Sequence, residues 1–229
     1  MKYLFAPGCA LVLYKPHLVE KLQTFLDSHY GSMGQLLTCC RHTPEIASDT
    51  IIINVCPGCD RRYRENYFNS LTVSLWELLS ENEAFPFPDY KSQNMTIIDA
   101  CPTRDKNQIH RSVRVLADRM NISIVEPTMT KRNGTCCGDT FYGKLPTEQV
   151  VDRMKAKANE MPIDDILVYC VSCSQSVFIG GRRPRYLVDL LFAEDTVPKR
   201  CDPDQWHGEL DEFIESHKDY EVRLARSCD

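Results

Sequence analysis

Two signatures alternate along the chain. Short apolar runs stand at Tyr3-Leu4-Phe5-Ala6, Thr50-Ile51-Ile52-Ile53-Asn54-Val55, Thr96-Ile97-Ile98-Asp99-Ala100 and Asp165-Ile166-Leu167-Val168-Tyr169. Each predicts a buried strand, because a strand covered on both faces has no polar side to alternate with. Stretches with helical spacing lie between them. Leu18, Leu22, Phe25 and Leu26 follow an i, i+4, i+7, i+8 pattern, and Ile109, Val113, Leu116 and Ala117 repeat it. That spacing lines up one apolar face on a helix. Another helix is predicted from Thr147 to Asn159, and apolar segments follow at Leu75-Trp76-Glu77-Leu78-Leu79 and Leu187-Val188-Asp189-Leu190-Leu191. Strands alternating with amphipathic helices argue for an α/β protein whose small parallel sheets are flanked by helices, with ligands at the carboxyl ends of the strands.

The signatures run through the chain twice in the same order, and such a repeat constrains the architecture before any local motif does. The expectation is two similar lobes related by a pseudo-twofold axis. The first spans residues 1–90, the second 91–198, and an acidic helical tail covers 199–229. A linker is predicted over Glu81 to Met95, where Phe85-Pro86-Phe87-Pro88 disfavours both helix and central strand.

Composition narrows the class. Hydrophobic residues make up 43% and charged residues 26%, proportions that support a folded globular protein. The net charge of −5 offers no positive field for phosphates, so no nucleic-acid partner is expected. No apolar run approaches the ~20 residues that cross a bilayer, and the first residues are broken too soon by Pro7 and Gly8 to form a secretory core. A cytoplasmic protein with no membrane insertion is expected.

Cysteine is the outlier, with 12 in the chain. A chain this long has little need of disulfide staples, and in a reducing compartment the thiols call for another use. They follow the same repeat as the strands and helices. Cys9, Cys39, Cys40, Cys56 and Cys59 form one set; Cys101, Cys136, Cys137, Cys170 and Cys173 form the other. Each set is a lone Cys, a Cys-Cys pair and a Cys-x-x-Cys. Cys9, Cys56, Cys101 and Cys170 fall at the carboxyl ends of the predicted strands. The sets differ in the interval from the pair to Cys-x-x-Cys, which runs from 137 to 170 in the second and only from 40 to 56 in the first. The first copy has lost a helix or replaced it with a short loop.

Clustered thiolates are soft ligands that select zinc, copper(I) or iron–sulfur centres. Four close a structural zinc site, and Cys-x-x-Cys is a common half of one. Five overfill it, and adjacent cysteines diverge too far to chelate one small ion with ease. Iron–sulfur clusters, zinc and redox-active disulfides all remain open on this arrangement.

The twice-repeated lone Cys, Cys-Cys-Gly and Cys-x-x-Cys, with the opening Lys2-Tyr3-Leu4-Phe5-Ala6-Pro7-Gly8-Cys9-Ala10-Leu11, resembles the cysteine-rich CCG domain family, to which the catalytic component of heterodisulfide reductase belongs. The likeness spans about residues 1–192. It implies an iron–sulfur oxidoreductase subunit in which each five-cysteine set ligates a non-cubane [4Fe–4S] cluster, two in all, at which a small disulfide or thiol substrate is handled. It further implies an electron-donating iron–sulfur or flavin protein as partner. Carried over by position, Cys101, Cys136, Cys137, Cys170 and Cys173 bear the chemistry as cluster ligands, and Gly138 completes the motif, its missing Cβ admitting the bulky cluster. Arg41 replaces that glycine in the first copy. A non-catalytic electron carrier and a structural zinc protein are the alternatives.

Weaker signals flank these sets. His17, His42 and His110 are candidate proton donors to a departing thiolate, or surface histidines. Arg41, Arg61, Arg62 and Arg64 are candidates for holding an anionic substrate, and Arg182, Arg183 and Arg185 for docking an acidic electron donor, against the reading of both as solvated surface. Cys201 and Cys228 are spare thiols or half of a tail zinc site with His207 or His217. Helix starts at Asp60 and Ser174 would aim backbone amides at the clusters, and Trp76 and Trp206 are read as packing residues. No nucleotide-binding glycine motif and no ferredoxin cysteine run occur, so electrons are expected from a partner.

Overall fold

The computed structural model describes residues 2–38, 43 and 45–217. Cys39, Cys40, Arg41, His42 and Cys228, named above as candidates, lie outside the described residues. The chain divides into two compact units: residues 1–75 with 209–229, and residues 76–208. The division falls between Leu75 and Trp76, ahead of the expected boundary near 90. Residues 76–90 group with the second unit because they are anchored there. Phe85 is buried with its ring edge-on to Phe192, the Tyr90 hydroxyl donates to the Leu190 carbonyl at 2.9 Å, and Arg119 donates to the Asn82 carbonyl. The proline-rich segment is thus packed chain, although it contains neither helix nor strand between 82 and 92.

In the first unit, β1 (Lys2–Ala6) leads to α1 (Cys9–Tyr14) and α2 (Pro16–Tyr30), then β2 (Gly34–Gln35), β3 (Thr50–Asn54), α3 (Pro57–Asn66), β4 (Leu71–Ser74) and α4 (Leu75–Glu81), whose first residue closes that unit. The second unit repeats the plan with β5 (Gln93–Ile98), α5 (Asn107–Arg119), β6 (Ile122–Val125), α6 (Thr147–Asn159), β7 (Asp165–Val168), α7 (Val171–Ile179), β8 (Arg183–Tyr186) and α8 (Leu187–Leu191). The last helix, α9 (Pro203–His217), begins in the second unit and ends in the first.

Among the described residues each unit holds a four-stranded, all-parallel sheet, ordered β2-β1-β3-β4 and β6-β5-β7-β8. This is the expected two-lobe α/β architecture. The four strands visible as apolar runs are β1, β3, β5 and β7, the central pair of each sheet, whose Phe5, Ile52, Ile53, Ile97, Ile166 and Leu167 are buried. Leu18, Leu22 and Leu26 of α2 and Ile109, Val113, Leu116 and Ala117 of α5 are buried as their spacing predicts, while Phe25 stays half-buried, stacked on His29. Trp76 and Trp206 are fully enclosed. The helix expected at Thr147–Asn159 is α6. No helix occurs among the described residues between β2 and β3, which accounts for the shorter interval in the first cysteine set. Among the described residues no helix is long and apolar enough to cross a membrane.

Candidate metal centre

Parallel register brings the cysteines together by pairs. In the second unit Ile98 lies opposite Val168, so the chain leaves β5 and β7 at the same sheet end, into Cys101 and Cys170. Cys101 opens a single 3-10 turn, and Cys170 is the N-cap of α7 with Cys173 inside its first turn. The helix begins at Val171, three residues ahead of the expected Ser174; α3 likewise begins at Pro57 with Cys56 as its N-cap. Proline suits the first helical position because the missing N–H would have no partner there. Each Cys-x-x-Cys therefore sits on the first helical turn itself.

The Cys136-Cys137 loop completes the group. The Cys101 thiol donates to Cys136 Sγ at 3.9 Å, the Thr140 hydroxyl lies 3.0 Å from the same sulfur, and the Gly138 amide donates to it at 3.4 Å. Cys137 also interacts with Cys136 and Cys173, and Cys173 with Cys170. All five sulfurs of the second set are thus connected, and no disulfide forms among the described cysteines. Cys137 and Cys173 are buried; Cys101, Cys136 and Cys170 are half-buried.

The hydrogen bonds shift these thiols in opposite directions. Donation to Cys136, then burial and the surrounding sulfurs, raise the Cys101 thiol far above the ordinary range. Donation to Cys136 and burial push Cys137 up to about 12, although Cys173 pulls the other way. Donation to Cys137 and Cys170, with burial, raises Cys173 as well. Cys136 is lowered, chiefly by its hydrogen bonds with Cys101 and Cys137 and with help from Thr140, against the opposing effect of burial. Among the described residues no group of three or more His, Cys, Asp or Glu side chains is placed to hold a metal ion.

Asp99, unremarked in the sequence beyond ending an apolar run, holds the three cysteine-bearing segments in register. Its carboxylate accepts from Arg114 Nη1 and Nη2 at 3.1 and 2.9 Å, the Thr130 hydroxyl at 2.7 Å, the Lys131 amide at 2.8 Å and the Tyr169 hydroxyl at 3.2 Å. Tyr169 also accepts from the Ala100 amide and meets the Thr103 hydroxyl, which reaches His110 Nε2 at 3.1 Å. One buried cluster therefore ties the residues before Cys101 and Cys170 to the loop leading into Cys136. The only sequence signal for it is a charged residue at the end of a buried strand, where a carboxylate must be paired.

In the first unit, Ala6 lies opposite Asn54, so Cys9 and Cys56 also follow strands that end together. A Cβ on Gly8 would stand 3.1 Å from Cys56 Cβ and 3.5 Å from Cys59 Sγ, so the backbone before Cys9 packs directly on the Cys-x-x-Cys turn. Cys9 and Cys59 are buried, Cys56 is half-buried, and Cys39 and Cys40 lie outside the described residues. Asp60 ties this site together, accepting from Asn54 at 3.0 Å and from Arg64 at 2.9 and 3.0 Å.

No protein-family model matches this chain, and no curated protein does. Among solved structures, an aspartate racemase of Picrophilus torridus is similar at 13% identity and a TM-score of 0.35, over 98% of this chain and 96% of that one. At that level the likeness assigns no chemistry.

Several candidates change role. Gly138 has φ +112°, and a Cβ there would meet Met154 Cγ at 2.6 Å, so the packing of α6 by itself requires a glycine there. His110 is buried, unlike the exposed His17, and burial lowers its basicity. Arg64 pairs with Asp60, Arg182 with Asp164 and Arg183 with Asp165. His207 pairs with Asp139 at 3.1 Å and stacks on Tyr142, so it is engaged away from the exposed Cys201.

Proposed function

We propose that this chain is an iron–sulfur oxidoreductase subunit whose second unit holds a cluster through Cys101, Cys136, Cys137, Cys170 and Cys173, acting on a disulfide or similar small substrate. The observation that carries the reading is the connection of five sulfurs from three chain segments at one sheet end. The donor set fits the group: clustered thiolates are the soft ligands that suit iron–sulfur centres. The Gly138 amide and Thr140 hydroxyl on Cys136 are hydrogen bonds of the kind that tune such a centre. When bound, it supplies electrons singly. Cys101, Cys136 and Cys170 are half-buried residues, and in this reading the substrate approaches from their side. In this reading Cys9, Cys39, Cys40, Cys56 and Cys59 hold a second cluster, an iron–sulfur or flavin protein donates the electrons, and the protein works in the reducing cytoplasm.

The test is anaerobic reconstitution of the full chain followed by iron, sulfide and zinc analysis and EPR. Iron and inorganic sulfide in equal amounts, a brown protein and a signal on reduction are expected, with the second site's share lost in Cys136→Ala. A colourless protein carrying zinc alone would overturn the proposal. Oxidation of the reduced protein by small disulfides separates an enzyme from a carrier, which would ignore them.

A further inference from the structure

Charge is unevenly placed around the second set of cysteines. Residues 102–106, which follow Cys101, and 131–135, which precede Cys136, carry Arg104, Lys106, Lys131 and Arg132 against one acid, Asp105. The corresponding residues 10–14 and 34–38 of the first copy carry no charge. A parallel sheet of the same strand order forms in both units, so the cations are not a requirement of the fold. Folding brings the two charged segments together. Arg104, just past the Cys101 turn, donates to the Gly134 carbonyl at 3.2 Å, and Arg132 stands 3.9 Å from Asp105. Lys131 has φ +55°, a left-handed backbone uncommon for such a residue, and its amide is held by the Asp99 carboxylate at 2.8 Å. The buried carboxylate that aligns the cysteine-bearing segments therefore fixes this basic loop as well.

The acids of this end of the unit do not cancel the patch. Asp99 and Glu126 share Arg114, Glu126 also meets Lys131 at 3.5 Å, and Asp139 pairs with His207. With Arg111, exposed on α5, residues 99–114 and 126–134 hold six cations and three acids in a chain whose net charge is −5. The Arg132 and Lys131 side chains are 80% and 48% exposed. Cations that reach into solvent from two adjoining loops suit a broad acidic surface, whereas a small anion calls for donors that converge in a recess.

We propose that this basic rim docks the acidic face of a partner protein beside Cys101 and Cys136. Only the partner's role rests on the iron–sulfur reading above, in which it is the electron donor; the docking itself needs no metal.

A small acidic ferredoxin and the basic cytochrome c serve as probes, titrated calorimetrically into the full chain before and after anaerobic reconstitution. The ferredoxin is expected to bind saturably at about 20 mM salt and about tenfold more weakly at about 0.3 M, where screening is strong, while cytochrome c does not bind. Arg132→Glu, at a side chain 80% exposed, should weaken the ferredoxin severalfold, and Arg104→Glu together with Arg132→Glu by about tenfold or more. Lys155→Glu together with Lys199→Glu makes the same change of net charge at exposed positions elsewhere in the unit, and should stay within about twofold of wild type. Absence of saturable ferredoxin binding, cytochrome c binding as tightly, or wild-type affinity in Arg132→Glu would overturn the assignment. So would displacement of the ferredoxin by inorganic phosphate beyond the effect of equal ionic strength, the mark of a small-anion site. Salt-sensitive docking by a chain that takes up no iron or sulfide sinks the iron–sulfur reading and leaves the surface standing; a reconstituted chain whose Arg132→Glu form binds ferredoxin normally does the reverse.

Discussion

Gly138→Ala is expected to cost about 3 kcal/mol or more of the second unit's stability, from a left-handed backbone and a direct overlap together. The residue sits at φ +112°, and a Cβ there would meet Met154 Cγ at 2.6 Å, Met154 N at 3.0 Å and Met154 Cα at 3.2 Å. The side-chain overlap can be relieved by rotation; the two backbone contacts require α6 to move. Gly180, which packs on the same helix, is as tight: its Cβ would stand 2.5 Å from Ala158 Cβ and 2.8 Å from the Met154 carbonyl, with no positive φ to add. Gly143 supplies the control, with φ +72° and nothing within 4 Å. Urea denaturation should rank the alanine variants with Gly138 worst, Gly180 next and Gly143 near 1 kcal/mol, about the cost of backbone conformation alone. Equal losses at Gly138 and Gly143 would show that packing on α6 contributes nothing.

Arg114→Ala is expected to cost about 3–5 kcal/mol, since it strands the Asp99 carboxylate in the interior. Asp99 has a side chain 1% exposed, and Arg114 supplies two of its five donors. Asp99→Asn should cost less. There the charge itself is removed, and Arg114 keeps its bidentate pair with Glu126 at 2.5 and 2.8 Å. A larger loss for Asp99→Asn than for Arg114→Ala would mean that the buried charge is not the dominant quantity. The same site gives a pH dependence. Burial pushes the Asp99 carboxyl up, but Arg114, Thr130 and the Lys131 amide more than offset this and hold it at about 2. In the unfolded chain it titrates near ~3.9. A carboxyl depressed on folding stabilises the native state above the unfolded value and loses that contribution as pH falls through the folded one. Stability should therefore fall between about pH 4 and pH 2, more steeply in the wild type than in Asp99→Asn, as followed by urea midpoints across that range.

Much of the scaffold was legible in the residues alone. The central strands β1, β3, β5 and β7 announce themselves because both of their faces are covered, which demands apolar residues at nearly every position. The edge strands do not: Gly34-Gln35, Leu71–Ser74, Ile122–Val125 and Arg183–Tyr186 are short, and a strand with one neighbour borrows its conformation from that neighbour. The duplication and the cysteine order are also plain, since they are matters of spacing, and parallel strands deliver whatever follows them to one end of the sheet. Other features required the folded chain: which sulfurs touch, that Asp99 binds the cysteine-bearing segments together, that Gly138 faces Met154, and that register gives Arg183 a carboxylate but sets Arg185 against Leu167. Each depends on residues far apart in the chain meeting in space, and neither local propensity nor periodicity carries that information.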